Sequence, residues 1–285
     1  MTAPSLETTP AQPRSGGPDA FEAQPSQAES PFPYQPLGRT AVWGGGTGRG
    51  IRVAVVDSGI DRTHPELSRC SIGGVVVNQV GRRAAFAEYQ GRDAFGHGTA
   101  CAGIISRLAP EAELFSVQVL GQNLRGMREI VVAGIRHAVG EGAHVINLSL
   151  GTTDPQFGLD LVHVMREAYE RNVVVVAAAG YDASRADYPS CLPFPISVDY
   201  DYLPEPETYY VRPGKVIEFV AHGVQVHVPW LDHGYYKAVG SSFAAPHITG
   251  LVARIRSKHP HLTPSQIKDL LTLLANAVDP KMRKP

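Results

Sequence analysis

The sequence predicts an α/β fold, a mainly parallel sheet flanked by helices on both faces. Three observations carry that reading: short apolar runs rich in β-branched residues, longer segments with helical spacing, and the alternation of the two along the chain. Ile51 to Val56 is such a run, as expected of a buried parallel strand. Thr99 to Leu108 reads as a helix with small residues on its packed face, and Leu114 to Leu120 as a strand. Met127 to Val139 carries apolar residues at helical spacing, and His144 to Leu150 is a strand. Leu159 to Arg171 is a helix and Val173 to Ala179 a strand. Tyr188 to Lys237 is less regular, with short β runs in VIEFVA and VQVHVP. Two helices close the chain, Ser242 to Lys258 and Pro264 to Val278. The second has Thr263 as its N-cap and Pro264 at its first helical position.

A chain of 285 residues accommodates two domains or one large α/β domain. Apolar residues make up 43% and charged residues 19%, enough to bury a sizeable core. Lys plus Arg is 26 against 27 Asp plus Glu, a net charge of -1 that leaves no footprint for nucleic acid. Residues 1–40 carry eight of the 23 prolines, filled out by Ser, Gln, Thr and Glu without an apolar period. That composition predicts a disordered Pro-rich tail, with one folded domain over residues 41–285 that starts in earnest near Trp43. The N-terminus shows neither a basic start nor an apolar stretch, and the longest apolar run is too short for a bilayer, so a cytoplasmic location is expected. Cys70, Cys101 and Cys191 are an odd set without metal-ligand spacing, which favours reduced thiols.

Three segments look catalytic. Asp57 ends the first strand in VAVVDSGID, where open α/β sheets place their sites. His97 opens a helix between two glycines in GHGTACAGI, and Ser242 begins another in GSSFAAPHITG. Each has a plain reading in isolation: a turn-capping Asp, a first-turn His, an ordinary serine N-cap. Together they fit a different need, because a hydroxyl nucleophile requires a base and a carboxylate that fixes the base's tautomer. A serine at a helix N-terminus also lies near free N–H groups that stabilise a developing oxyanion.

With VAVVDSGID, DAFGHGTACAG, VINLSLG, VVVVAAAG and VGSSFAAPHITG in this order, the chain from about Trp43 to Val278 resembles the subtilisin-like serine proteases, the subtilases. The resemblance implies a subtilisin-like fold and peptide-bond hydrolysis through an acyl-enzyme. It assigns Asp57 as the orienting carboxylate, His97 as the general base and then acid, and Ser242 as the nucleophile. It also makes Ser149, Leu150 and Gly151 the strand that pairs with substrate backbone, with Ala178, Ala179 and Gly180 as the opposite wall of the specificity pocket.

The sequence departs from the family in four places. After VVVVAAAG the family normally carries an asparagine whose amide is the second oxyanion donor, a group worth about 10²–10³ in rate; here Tyr181 and Asp182 follow. The oxyanion region is therefore Tyr181 together with the Ser242 backbone. The usual Asn-Gly-Thr-Ser is Val239-Gly240-Ser241-Ser242, in which Ser241 keeps the hydroxyl. The family's calcium-loop insertion after the His97 helix is missing, so no structural calcium, no other metal and no cofactor are expected. The region before Trp43 is too short and polar for a folded prodomain, and unaided folding is expected.

The remaining residues add little. Cys101 stands four residues after His97 on the same helical face and reads as a small buried hydrophobe. His247 reads as a satisfied structural histidine, and His222, His227 and His233 lack ligand spacing. Asp199, Asp201, Glu205 and Glu207 read as a solvated acidic loop, and the resemblance places Asp182 and Asp187 near the mouth of the specificity pocket, where they would favour a basic side chain. The expected function is a serine endopeptidase acting on a dedicated peptide or protein such as a precursor peptide, with neither a nucleic acid nor a membrane as partner. The alternative is a catalytically silent pseudoprotease that binds an extended peptide.

Overall fold

The computed structural model describes residues 38–81, 83–180 and 187–282. In chain order its elements are α1 (Arg39–Val42), β1 (Arg52–Asp57), β2 (Ile72–Val80), β3 (Arg83–Glu88), α2 (His97–Leu108), β4 (Glu113–Gln118), α3 (Arg128–Gly140), β5 (Val145–Leu148) and α4 (Pro155–Glu170). They continue with β6 (Val174–Ala178), β7 (Ile196–Asp201), β8 (Tyr209–Val211), β9 (Phe219–His222), β10 (Val226–Pro229), β11 (Tyr235–Ala238), α5 (Ser241–Lys258), α6 (Pro264–Leu273) and β12 (Ala277–Val278).

Ten strands form one sheet in the order β12-β8-β9-β7-β6-β5-β1-β4-β2-β3. The run from β9 to β2 is parallel throughout, with β3 antiparallel at one end and β8 antiparallel to β9 at the other. This matches the expected mainly parallel sheet. Its two faces are both covered, which explains the unbroken apolar runs. On β1, Val53 and Val55 face one cluster with α2, α5 and α6, while Ala54 and Val56 face the other with α3 and α4. On β6 the same division puts Val174 and Val176 on one side and Val175 and Ala177 on the other. The hairpin β10–β11 stands apart from the sheet and closes a third cluster against Ala100, Ile104 and Phe243.

Several boundaries differ from the sequence reading, each for a local reason. Helix α4 starts at Pro155 because Asp154 caps it, its side chain accepting from the Gln156 amide at 2.9 Å. Helix α6 has the expected Thr263 cap, completed by Gln266 into a capping box, but ends at Leu273. The chain then pairs Ala277 and Val278 with β8. Strands β2 and β3, unread in the sequence, sit at the sheet edge with much of their surface exposed. The predicted solvated acidic loop is in part a strand: Asp199 and Asp201 stand on β7 and pair with Arg212 and Lys281 at 2.7 Å each, while Glu207 beyond it pairs with Arg254. The expected tail at residues 1–40 lies almost wholly outside the described residues. Among the described residues no helix is long and apolar enough to cross a membrane.

Candidate active site

Asp57, Ser149 and Ala179 emerge from neighbouring parallel strands, because β1 ends at Asp57, β5 at Leu148 and β6 at Ala178. From β1 the chain runs out to β2 and β3 at one edge, returns through α2 to β4 beside β1, and then crosses by α3 to β5 on the other side of β1. A crevice opens outside the carboxyl ends of strands at such a reversal. Helices α2 and α5 bring His97 and Ser242 to it from the same face of the sheet.

Asp57 is fully buried, and both of its carboxylate oxygens lie 2.9 Å from His97 Nδ1. Nδ1–H therefore donates to Asp57, leaving Nε2 as the basic nitrogen. Burial lowers the pKa of His97, but the charge and hydrogen bond of Asp57 outweigh it, with help from the charge of Asp93, and the net direction is upward. The ring packs edge-on against Phe243 with centroids 5.2 Å apart. Gly98, the next residue, must be glycine: a Cβ there would collide with the Gly59 carbonyl, and this contact lets α2 approach the end of β1.

Ser242 occupies the first turn of α5, after Gly240, whose φ of 143° suits glycine. Its hydroxyl donates to the Ser149 carbonyl at 3.4 Å, and no hydrogen bond to His97 is formed in this state. Free-enzyme nucleophile–base contacts are commonly loose and close only around substrate. The carbonyl of Ser242 is held by the Ser149 hydroxyl at 2.8 Å and the Cys101 thiol at 3.5 Å. Ser149 in turn accepts from Asn147, whose oxygen takes a bond from Thr249 at 2.9 Å, so α5 and β5 are joined through buried polar groups. Ser241 donates to the Ala179 carbonyl at 2.6 Å, which gives the hydroxyl retained at this position a structural task.

His97, Ser242, Ser149, Leu150, Gly151, Ala178, Ala179 and Gly180 all line one open groove of about 940 Å³. Tyr181 and Asp182 lie outside the described residues, so the oxyanion region is represented here by Ser242 alone. At a helix N-terminus its amide has no intrahelical acceptor.

Two features escaped the sequence reading. Asp93 organises the turn before His97: one oxygen accepts from the amides of Phe95 and Gly96 and from the Ser58 hydroxyl at 2.7–2.9 Å. The other accepts from the amide and hydroxyl of Thr99 at 2.8 and 2.6 Å. An Asp three residues before Gly96 in DAFGH is the available signal. The second feature is an aromatic edge of Phe95, Trp230 and Tyr236 along the groove, with Trp230 stacked over Gly96. The irregular segment that supplies Trp230 hid it.

The ligand atoms of Asp57, His97 and Cys101 lie within 4.8 Å of one another. Burial holds the Cys101 thiol well above its ordinary pKa, so it remains a neutral packing group rather than a thiolate ligand. His247 donates from Nδ1 to the Phe243 carbonyl at 2.9 Å, and burial pushes its pKa down to about 3, in keeping with a neutral structural histidine.

A sequence model of the subtilase family matches residues 48–283. Subtilisin BL of Lederbergia lenta is 34% identical over 242 residues, covering 81% of this chain and 86% of that protein. Subtilisin E of Bacillus subtilis (strain 168) is 33% identical over 243 residues, but the chain spans 61% of its length. Among solved structures, a cold adapted subtilisin-like serine proteinase superposes with a TM-score of 0.68 at 26% identity, covering 82% of this chain and 86% of that one. The crystal structure of a lanthipeptide protease gives 0.64 at 25% identity, covering 78% of each chain. With the family model matched over most of its length and relatives above 30% identity, the chain belongs to the subtilase family of serine proteases.

Proposed function

We propose that Ser242, His97 and Asp57 form the catalytic triad of a peptide endopeptidase acting on a dedicated precursor. The observation that carries this is the buried Asp57–His97 pair, with both oxygens 2.9 Å from Nδ1, opening onto the groove that holds Ser242. In the cycle, rotation of the Ser242 side chain away from the Ser149 carbonyl brings Oγ to His97 Nε2. As Oγ attacks the scissile carbonyl, Nε2 takes its proton, and Asp57 stabilises the imidazolium. The tetrahedral oxyanion lies at the N-terminus of α5, beside the Ser242 amide. His97 then returns the proton to the leaving amine, and water attacks the acyl-enzyme by the reverse route.

Substrate backbone runs along Ser149-Leu150-Gly151, with Ala178-Ala179-Gly180 forming the other wall. The likeness to a lanthipeptide protease supports a precursor peptide as substrate. Three free cysteines fit action in a reducing compartment such as the cytoplasm. A fluorophosphonate probe tests the assignment: the protein should label and Ser242→Ala should not. Equal labelling of both, or of neither, refutes it and leaves the peptide-binding reading.

A further inference from the structure

Gly151 and Gly180 end the two groove walls without side chains, and one carboxylate fills the space they leave. A Cβ on Gly151 would lie 2.6 Å from Asp187 Oδ2, and one on Gly180 would lie 2.5 Å from Asp187 Cγ. Asp187 itself lines the groove with His97 and Ser242. It is held there by its neighbours. Thr152 and Tyr188 exchange two backbone hydrogen bonds of 2.8 Å, and the Asp187 carbonyl accepts from the Cys191 amide at 2.9 Å and the Ser190 hydroxyl at 3.0 Å. The bridge fixes the backbone from which the side chain projects, and the Ser190 hydroxyl also lies 3.4 Å from Asp187 Oδ2.

We infer that Asp187 selects substrates with a lysine or arginine side chain on the acyl side of the scissile bond, by meeting that cation between Gly151 and Gly180. This rests on the proposed placement of substrate along the two walls. The chemistry of the pocket supports it. Side chains from Ala178 and Ala179 and backbone from Gly151 and Gly180 offer no other charge to an entering residue, whereas an ionised carboxylate in a half-dry pocket pairs strongly with a cation. Burial raises the Asp187 pKa to about 6, opposed by the Ser190 hydroxyl, so the group is mostly ionised at neutral pH and loses its charge in mild acid. The groups around it are the Ser190 hydroxyl, the Cys191 thiol, and, along the same groove, His97, Lys237 and Arg125. Asp182 and Arg185 lie outside the described residues.

The test uses two peptides that differ only in Lys or Leu at that residue. With the full chain, the ratio of kcat/KM for Lys over Leu should exceed one, and Asp187→Asn should lower it by roughly 10- to 150-fold, as the loss of a charge-assisted contact implies. Asp187→Glu should retain part of the preference. The ratio should also rise with pH through about 6. Because both peptides use the same His97, its titration cancels in the ratio. The same pair is measured as binding to Ser242→Ala, which reads the preference without turnover. An unchanged ratio in Asp187→Asn, a preference for Leu, or no binding of either peptide overturns the inference. Fluorophosphonate labelling in the same preparation reports separately whether the triad reading stands.

Discussion

Replacing Asp93 by alanine should destabilise the protein by about 3–4 kcal/mol, although Asp93 is not one of the three triad residues. The carboxylate accepts five hydrogen bonds within 2.9 Å, three from backbone amides and two from hydroxyls. The Thr99 amide bond is an N-terminal cap of α2, worth about 1–2 kcal/mol when lost. The other four donors regain water only in part, because the turn packs under Trp230, and about 0.5 kcal/mol for each adds roughly 2 kcal/mol more. For a domain of this size about 2–4 °C per kcal/mol applies, so the melting temperature should fall by about 6–16 °C. Calorimetry with matched labelling of Ser242 is the assay, and the labelling rate should fall as the His97 turn loosens. Asp93→Asn separates charge from geometry. It keeps an acceptor but removes a negative charge that raises the pKa of His97, so the acid limb of kcat/KM should move to lower pH. A fall of less than 2 °C in Asp93→Ala, or an acid limb that moves up in Asp93→Asn, would refute the account of this turn.

Gly98→Ala should cost about 3 kcal/mol and reduce soluble yield, since the added methyl meets the Gly59 carbonyl; a neutral effect on thermal melting would contradict the close approach. His247, with its folded pKa near 3 against 6.5, contributes stability that is complete above pH 6.5 and lost as pH falls, about 2 kcal/mol by pH 5. His247→Gln should therefore show a shallower decline of melting temperature between pH 7 and 5, and an identical slope counts against it. Tyr181→Asn should raise kcat towards the roughly 2.7–4 kcal/mol that the equivalent donor provides in subtilisin, with KM little changed. A silent Tyr181→Asn in an enzyme that cleaves peptides would mean that the second donor comes from another residue.

What could be read from the sequence followed from how strongly each residue's own neighbours constrain it. Strands β1 and β6 were legible because burial on both faces forces a continuous β-branched run, and runs of six and five residues are too short for a helix. Strands β2 and β3 were not, because an exposed edge hairpin such as IGGVVVNQV–RAAFAE needs no strict alternation and its pairing is decided by β4. The end of α6 was missed for the same reason: Leu273 to Val278 keeps helical composition, but pairing with β8 takes the last residues out of the helix. Propensity describes a segment alone, whereas the partner strand lies far away in sequence.

The site divides along the same line. Asp57, His97 and Ser242 announced themselves because each must stand at the end of an element, beside glycine, and those constraints are local. Asp93 did not, and Asp187 was placed only near the mouth of the pocket, because their roles depend on what surrounds them. Asp93 matters because five donors converge on it, one of them the Ser58 hydroxyl, which the sequence places 35 residues away. Asp187 becomes a pocket wall only because the Thr152–Tyr188 bridge carries it beside Gly151. The glycines at 151 and 180 are the residues that could have revealed it. Each reads as a strand terminator in isolation, but a glycine that ends a substrate wall also leaves a volume of one side chain to be filled. In this fold both volumes are filled by the same carboxylate, from a residue that lies on neither wall, and the inferred preference for lysine or arginine rests on that placement.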